Sequence, residues 1–345
     1  MKVTDQKKFN AFKSASLTEW EIAAREELKG ADPWKKLSIP LQDCTILPFY
    51  DQNEGNRPAP LLQVSENNYL GPRTWFNCPA VHVDNESNAN TLALEHLRNG
   101  ADGISFELDR TIDFKSLLQY IDLQYCSLIF LAKTNAQVIG DALKEYLQSE
   151  NKLNNNLPVV FLGNTLLPGV VNSNFFTSGF VIPTAAMPSE EIASCFIPLL
   201  KTEPFQPQSL AFSITLGTDF FMNVAKLRAI RMNWQRLLTH KKIQEQLPCW
   251  IHARALPLNP KEFQSHGNML NSTTAAMSAI LGGCDALTLE PEDNQSLSIR
   301  IARNVSNVLR EEAHFSKVAD PLAGSYFVES LSLQLADAAW KSLSL

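Results

Sequence analysis

Residues 271–291 read NSTTAAMSAILGGCDALTLEP, and this stretch contains one complete unit of the fold. Small and apolar residues recur at helical spacing as far as Gly282 and Gly283, a pair of glycines typical of a helix end. A short apolar run follows at once, at residues 286–291. A helix that leads directly into a short buried strand is the unit from which folds with parallel sheets are built.

The same alternation extends towards the amino terminus as far as about residue 76. Eight short apolar runs are separated for the most part by helix-length segments, at residues 80–83, 103–108, 127–132, 158–163, 179–184, 210–216, 249–254 and 286–291. Eight strand and helix repeats predict an α/β fold, a (β/α)8 TIM barrel. A doubly wound open sheet is the alternative, but it would more often show a glycine-rich phosphate turn after an early strand, and none is present.

The first 75 residues do not follow this rhythm. In SLTEWEIAAREELKG, residues 16–30, Ser16 and Glu19 form a capping box and Gly30 ends the predicted helix. The helix carries a narrow apolar stripe, Leu17, Trp20, Ala24 and Leu28. We therefore predict an extended N-terminal arm over residues 1–75, which docks on its own barrel or on a partner, and a barrel over residues 76–345.

Composition limits the possible functions. The chain has 345 residues, is 45% hydrophobic and carries a formal net charge of −6, which argues against a general binder of polyanions. No stretch approaches the length of a membrane span or the apolar run of a signal peptide, so a cytoplasmic location is predicted. Six cysteines without any C-x-x-C pair predict reduced, mostly buried thiols rather than a zinc or redox site.

The segment DFFMNVAKLRAIRMNWQRLL, residues 219–238, contains four cations on a predicted helix. The cations are spread around the helix and do not form a basic face, which disfavours a nucleic-acid or membrane surface. Arg231 falls within the apolar stripe, between Val224 and Trp234. A guanidinium there should be paired with a carboxylate, because an unpaired buried charge is costly.

Charged and polar residues collect at the carboxyl ends of the predicted strands, where TIM barrels carry their chemistry. They include His82, Asp84, Glu107, Asp109, Lys133, Asn164, Thr218, Arg254, Glu290, Glu292 and Asp293. The carboxylates around Glu107 and Glu290 could hold a divalent metal. Pairing with Arg254 or Lys133 is the favoured alternative, because no second ligand at a fixed spacing supports a metal.

Three long segments carry a resemblance to a known family. FFMNVAKLRAIRMNW, STTAAMSAILGGCDALTLEPED and SIRIARNVSNVLREEAHFSKVADPLAGSYFVES resemble the barrel of the methylmalonyl-CoA mutase family, and ESNANTLALEHLRNGADGISFELD resembles the stretch after its first strand. LTEWEIAAREELKGADPWKKL is similar to the arm of the family's small subunits. The resemblance covers nearly the whole chain. It implies a barrel threaded by coenzyme A within an adenosylcobalamin-dependent radical isomerase.

Two departures from the family pattern concern the reacting groups. The resemblance places Cys78 where catalytic chains of the family carry a tyrosine that packs against the substrate. It places Phe180 and Val181 where those chains carry tyrosine and histidine, the histidine donating a hydrogen bond to the thioester carbonyl. Valine cannot donate a proton, and such positioned groups contribute roughly 10² to 10⁴ in rate. The degenerate positions Cys78, Phe180 and Val181 therefore predict a chain that is not catalytic.

The binding groups depart from the pattern as well. Arginines that hold the coenzyme A phosphates in the family correspond to Gly71, Phe76 and Ser209, whereas Arg73 and Thr74 are possible remnants of that site. None of the six histidines is followed three residues later by glycine, so the family's D-x-H-x-x-G cobalamin motif is absent from this sequence. The resemblance therefore implies that this chain binds no cofactor and no metal, and that adenosylcobalamin reaches the holoenzyme through a large subunit.

Two functions remain open at this stage. The first is a non-catalytic small subunit that pairs with the large subunit of a heterodimeric mutase, with Trp20 and Leu28 of the arm buried in that partner. The second is a TIM-barrel enzyme in its own right, either a mutase with displaced residues or one with new chemistry. His82, Asp84 and Glu107 would be its catalytic residues.

Overall fold

The computed structural model describes residues 16–51, 72–150, 158–164, 176–200, 210–245, 247–257 and 267–343. The strands are β1 Ile39–Pro40, β2 Thr45–Ile46, β3 Phe76–Asn77, β4 Ala80–His82, β5 Gly103–Leu108, β6 Ser127–Ala132, β7 Val159–Gly163, β8 Phe176–Val181, β9 Leu210–Thr215, β10 Cys249–Ala255 and β11 Ala286–Leu289. The helices are α1 Leu17–Glu27, α2 Pro33–Leu37, α3 Glu86–Arg98, α4 Phe114–Leu117, α5 Ala136–Ser149, α6 Pro188–Leu200, α7 Phe220–His240, α8 Gly267–Gly282, α9 Ser296–Glu311 and α10 Tyr326–Ser342.

Strands β3 to β11 form one parallel sheet in which β4 to β11 pair in chain order and β3 pairs with β11. β3 and β4 are two parts of a single strand that is interrupted at Cys78 and Pro79. β3 pairs with β11 and β4 pairs with β5, so this first strand joins both ends of the sheet. The backbone amide of Cys78 donates to Leu287 at 2.9 Å and that of Ser105 donates to Pro79 at 3.0 Å. The predicted (β/α)8 barrel is confirmed.

Two of the observed strands differ in position or extent from the predicted runs, and four others begin or end one or two residues away from them. The predicted run at residues 80–83 corresponds to β4 and misses β3, at Phe76–Asn77. Cys78 and Pro79 lie between the two strands and interrupt the apolar pattern. The run at residues 179–184 corresponds to β8, which begins three residues earlier, at Phe176, and ends at Val181. Pro183 lies just beyond that end, and a proline cannot donate to the hydrogen-bond ladder of a sheet.

Apolar side chains fill the interior of the barrel. Successive strand residues point alternately inwards and outwards, and the inner set forms one cluster: Cys78, Ile129, Leu131, Val160, Leu162, Ala211 and Ala286, with Phe76, Val181 and Trp250 packed against it. The outward set forms two larger clusters beneath the helices. At Gly179 a Cβ atom would lie 1.7 Å from the carbonyl oxygen of Ala211, so the close approach of β8 and β9 requires glycine there.

Helix α7 is enclosed on several sides, because α10 packs across both α6 and α7 on the side away from the sheet. All four of its Lys and Arg residues are paired with carboxylates, and Lys226 and Arg228 are buried. Lys226 contacts Glu191 at 2.5 Å, Arg228 contacts Asp320 at 2.9 Å and Arg231 contacts Asp285 at 2.7 Å. The predicted carboxylate partner of Arg231 is thus confirmed.

The arm has two parts that differ in burial. Helix α1 has the predicted capping box between Ser16 and Glu19, and it buries none of its residues. Trp20 is half-buried, with its ring 5.1 Å from those of both Trp34 and Phe49 in the arm itself. The segment after α2 docks on the barrel. Cys44 is buried there, and the carboxylate of Asp43 accepts hydrogen bonds from the backbone amide and the hydroxyl of Ser189.

All six cysteines are buried and free, as predicted. Burial raises the pKa of the thiols of Cys126, Cys249 and Cys284 to about 12, so they stay protonated at neutral pH. Among the helices of the described residues, none has the length and apolar character that crossing a membrane would require.

Candidate functional site

A network of charged side chains occupies the carboxyl end of the barrel. The Nη2 atom of Arg254 donates to Glu107 Oε1 at 2.5 Å and to Glu290 Oε1 at 2.6 Å. Lys133 Nζ donates to Glu107 Oε2 at 3.0 Å. Two cations thus neutralise two carboxylates, and the predicted pairing of Glu107 and Glu290 is confirmed. Within the described ranges no three His, Cys, Asp or Glu side chains are grouped to hold a metal ion.

The structure brings His82, Asp84 and Glu107 together at this end. His82 Nε2 lies 3.1 Å from Asp84 Oδ1 and 3.7 Å from Asp109 Oδ2, and His82 Nδ1 lies 3.9 Å from Glu107 Oε2. The side chain of Asp84 is 89% exposed, so this contact is open to water. Glu107 is already bound by two cations. The set is therefore adjacent in space, but its least exposed member, Glu107, is engaged by other residues.

A buried polar layer lies directly beneath the charged network. Thr288 Oγ1 donates to the carbonyl oxygen of Cys78 at 2.5 Å and lies 2.8 Å from His252 Nε2. His252 Nδ1 lies 3.1 Å from Ser213 Oγ. The geometry fits a neutral imidazole that donates from Nε2 and accepts at Nδ1. Burial, and then the charge of Arg254, hold the pKa of His252 well below its usual value. Sequence reasoning missed this layer, although inward alternation along residues 249–254 could have indicated it.

The degenerate family positions separate into inner and outer ones. Cys78 is fully buried in the barrel, where burial raises the pKa of its thiol well above the usual value. Val181 also packs inside the barrel. Phe180, by contrast, points outwards and stacks on Phe212 with ring centroids 6.5 Å apart. Only two of the three positions therefore face the space where a substrate in a barrel would lie.

Arg73 and Thr74 lie away from the charged network. The guanidinium of Arg73 donates to three backbone carbonyls, those of Ile280 at 3.1 Å, Thr74 at 2.6 Å and Cys284. These groups surround the carboxyl end of α8, and burial lowers the pKa of Arg73. Gly71 and Ser209 lie outside the described residues. A contact of Arg73 or Thr74 with coenzyme A stays a prediction.

A cavity of about 350 Å³ opens beside the charged network, between the first and last strands of the barrel and helices α3 and α9. His82, Glu107 and Glu290 line one part of it, and His96 and Arg303 line another. Arg303 Nη1 lies 3.4 Å from His96 Nδ1. Sequence reasoning missed both residues, which are 207 positions apart and belong to no common motif.

Comparison with known proteins gives consistent results. Residues 192–344 match the family model described as methylmalonyl-CoA mutase. The methylmalonyl-CoA mutase small subunit of Porphyromonas gingivalis is 27% identical over 97% of this chain and 63% of its own length. That of Streptomyces virginiae is 38% identical over 38% of this chain and 22% of its own length.

A further relative, the methylmalonyl-CoA mutase of Cereibacter sphaeroides, is 38% identical over 38% of this chain and 20% of its own length. The chain thus spans less than two thirds of each of these relatives. Among solved structures, Plasmodium falciparum HPPK-DHPS aligns with a TM-score of 0.38 and 11% identity, a likeness too slight to support an argument.

Proposed function

Since the chain is a member of the methylmalonyl-CoA mutase family, we propose that it is the small subunit of an adenosylcobalamin-dependent methylmalonyl-CoA mutase, the enzyme that interconverts methylmalonyl-CoA and succinyl-CoA. In this proposal the chain is not itself catalytic and pairs with a catalytic large subunit. The names of the Porphyromonas and Streptomyces relatives support a small-subunit assignment.

The observation that carries the proposal is the composition of the barrel interior. The two degenerate positions that face inwards, Cys78 and Val181, belong to the apolar cluster that fills the barrel. Neither can donate a hydrogen bond of useful strength to a thioester carbonyl, and donors of that kind supply a large part of the rate in such sites. The polar groups above the cluster, Arg254 and Glu107, are already bound to each other.

We assign the cofactor to the large subunit. Adenosylcobalamin supplies radical chemistry when it is bound. A cobalt ligand in this chain would have to be an accessible histidine, and His252 has both ring nitrogens engaged in the buried layer. His82 is accessible but stands among three carboxylates. None of the six histidines, the exposed His240 and His314 included, is followed three residues later by the glycine of the family's D-x-H-x-x-G motif.

The test compares the chain alone with the chain plus the large subunit. We expect no isomerisation of (R)-methylmalonyl-CoA or succinyl-CoA by the isolated chain when adenosylcobalamin is supplied. We also expect co-elution with the large subunit and turnover by the complex. Measurable turnover by a preparation free of large subunit, or failure of the two chains to associate, would overturn the proposal.

We propose further that the arm clasps the large subunit through α1. The helix buries no residue, and Leu17 and Ile22 are 38% and 63% exposed. So little burial does not offset the conformational entropy lost when the helix is ordered, so a second surface that covers these side chains would stabilise it. Trp20 and Leu28 are half-buried and have surface left for a partner. Trp20→Ala should weaken affinity for the large subunit, whereas Tyr125→Ala, at an exposed aromatic on the barrel, should not. Equal affinities of the two variants would rule out the clasp.

The alternative, an enzyme in its own right, is favoured by one observation, the cavity that His82 and Glu107 line. Asp84 would then orient His82. This alternative requires a reaction that the isolated chain catalyses and that His82→Ala abolishes without loss of folding. Retention of the isolated chain's activity in His82→Ala would reject it.

A further inference from the structure

Arg303 is a buried cation without a counterion. It is 6% exposed, and in the described part of the chain no carboxylate forms an ion pair with it. Its side-chain contact is with His96, 3.4 Å away, and its Nε atom has no hydrogen-bond partner. A buried charge without a partner is strongly unfavourable, so a group that supplied the missing negative charge would be bound.

The nearby titratable groups do not supply that charge. Glu107 and Glu290 line the same cavity, but Arg254 and Lys133 bind them. His82 also lines the cavity, but an imidazole side chain supplies no negative charge. The burial of His96, followed by the charge of Arg303, lowers the pKa of its imidazole to about 4, so His96 is neutral at pH 7.

The remainder of the cavity determines the kind of anion. Apolar side chains, among them Leu92, Ile299 and Ala302, line it beside Arg303. Its volume of about 350 Å³ lies in the range of pockets that hold small molecules, roughly 300 to 1,000 Å³. An arginine presents paired donors that match the two oxygens of a carboxylate. The apolar wall favours a ligand with an aliphatic tail over a compact, highly hydrated anion such as phosphate.

We propose that this cavity binds a small aliphatic carboxylate, with its carboxylate group on Arg303 and its apolar part against Leu92, Ile299 and Ala302. The site lies between α3 and α9, outside the apolar cluster that fills the barrel. It does not depend on the assignment of the chain as a mutase subunit, because its evidence is the unpaired charge and the cavity.

The test uses the full chain and butyrate as the probe. We expect saturable binding of butyrate in calorimetry and a rise in the thermal midpoint. Butyramide, which has the same shape without the charge, and inorganic phosphate should bind at least tenfold more weakly. Arg303→Met should weaken butyrate binding at least tenfold. Arg300→Met, which removes an exposed arginine one turn away on the same helix, should leave it unchanged.

A second variant keeps Arg303 in place. Ala302→Leu fills part of the cavity and should also weaken butyrate binding at least tenfold, which provides the test if Arg303→Met does not fold. Absence of saturable butyrate binding to the wild-type chain would overturn the proposal, as would equal binding of butyrate and butyramide. Preferential binding of phosphate would overturn the choice of a carboxylate.

Discussion

Within residues 80–150 the helices are held to the barrel by apolar contacts, whereas between residues 188 and 343 buried ion pairs tie helix α7 to the segments around it. In the first region Phe130 stacks on Phe106 and meets Phe114 edge-on, with ring centroids 5.6 Å apart in both cases. The cations that form ion pairs there are at least 21% exposed. In the second region, Lys226 and Arg228 are 6% and 2% exposed.

The difference follows from the number of layers. Helix α3 has neighbours on one face and water on the other, so its charged residues can stay in water. Helix α7 has the sheet on one face and α10 over the other, with Asn233 donating to the carbonyl of Ala336 at 3.0 Å. Lys226 and Arg228 lie in the enclosed part of α7, where they are buried and must be paired, whereas Arg236 is 31% exposed.

The largest effect should come from breaking the most buried of these pairs. Asp320→Ala leaves Arg228 without its carboxylate, and we expect a loss of roughly 3 to 5 kcal/mol in the free energy of unfolding, measured by urea titration. The double variant Arg228→Met with Asp320→Leu removes both charges and should recover most of that loss. A loss of less than about 1 kcal/mol in the free energy of unfolding of Asp320→Ala would contradict the claim that Arg228 requires its buried carboxylate.

A smaller effect should appear at low pH in the region held by apolar contacts. The native pKa of His96 is about 4, below the unfolded value of 6.5, so only the unfolded chain takes up this proton between those values. The contribution of His96 to the free energy of unfolding is therefore fully present above pH 6.5. It is lost as the pH falls towards 4, and the total loss is roughly 3 kcal/mol.

His96→Gln should make this loss of stability with falling pH shallower, measured by urea titration at several pH values in buffers without carboxylate. Part of the slope should remain, because the pKa of His252 is lowered too. His240→Gln, at an exposed histidine, is the matched control substitution. Identical slopes for wild type and His96→Gln would contradict the assignment.

The smallest effect should come from an exposed pair of the first region. Arg110 bonds Glu86 at 2.9 Å and holds the pKa of that carboxyl at about 2, but its side chain is 47% exposed. Arg110→Met should cost less than about 1 kcal/mol and nothing measurable in high salt, because water and ions screen such pairs. A cost equal to that of Lys226→Met would remove the distinction between the two regions.

The sequence was most informative where one local pattern decides the structure. The eight apolar runs predicted the barrel, and the position of Arg231 on the apolar stripe of its helix predicted a carboxylate partner. The burial of Lys226 and Arg228 was not predictable, because it depends on α10, about 100 residues later in the chain. The charged network at the barrel end was predicted in outline, since the ends of parallel strands meet at one edge of a sheet. The contact of His96 with Arg303 had no local signal.

The closure of the barrel by its first strand also has a consequence for the time course of folding. Phe76 pairs with Ala286, and Asp102 beside it contacts Arg310, 208 residues later. At ribosomal rates of roughly 5 to 20 residues per second, the first strand waits about 10 to 40 s for these partners. During that interval its outer edge has no neighbouring strand, and unpaired edges are sites of aggregation. The nascent chain should therefore depend on chaperones until residue 310 has left the ribosome.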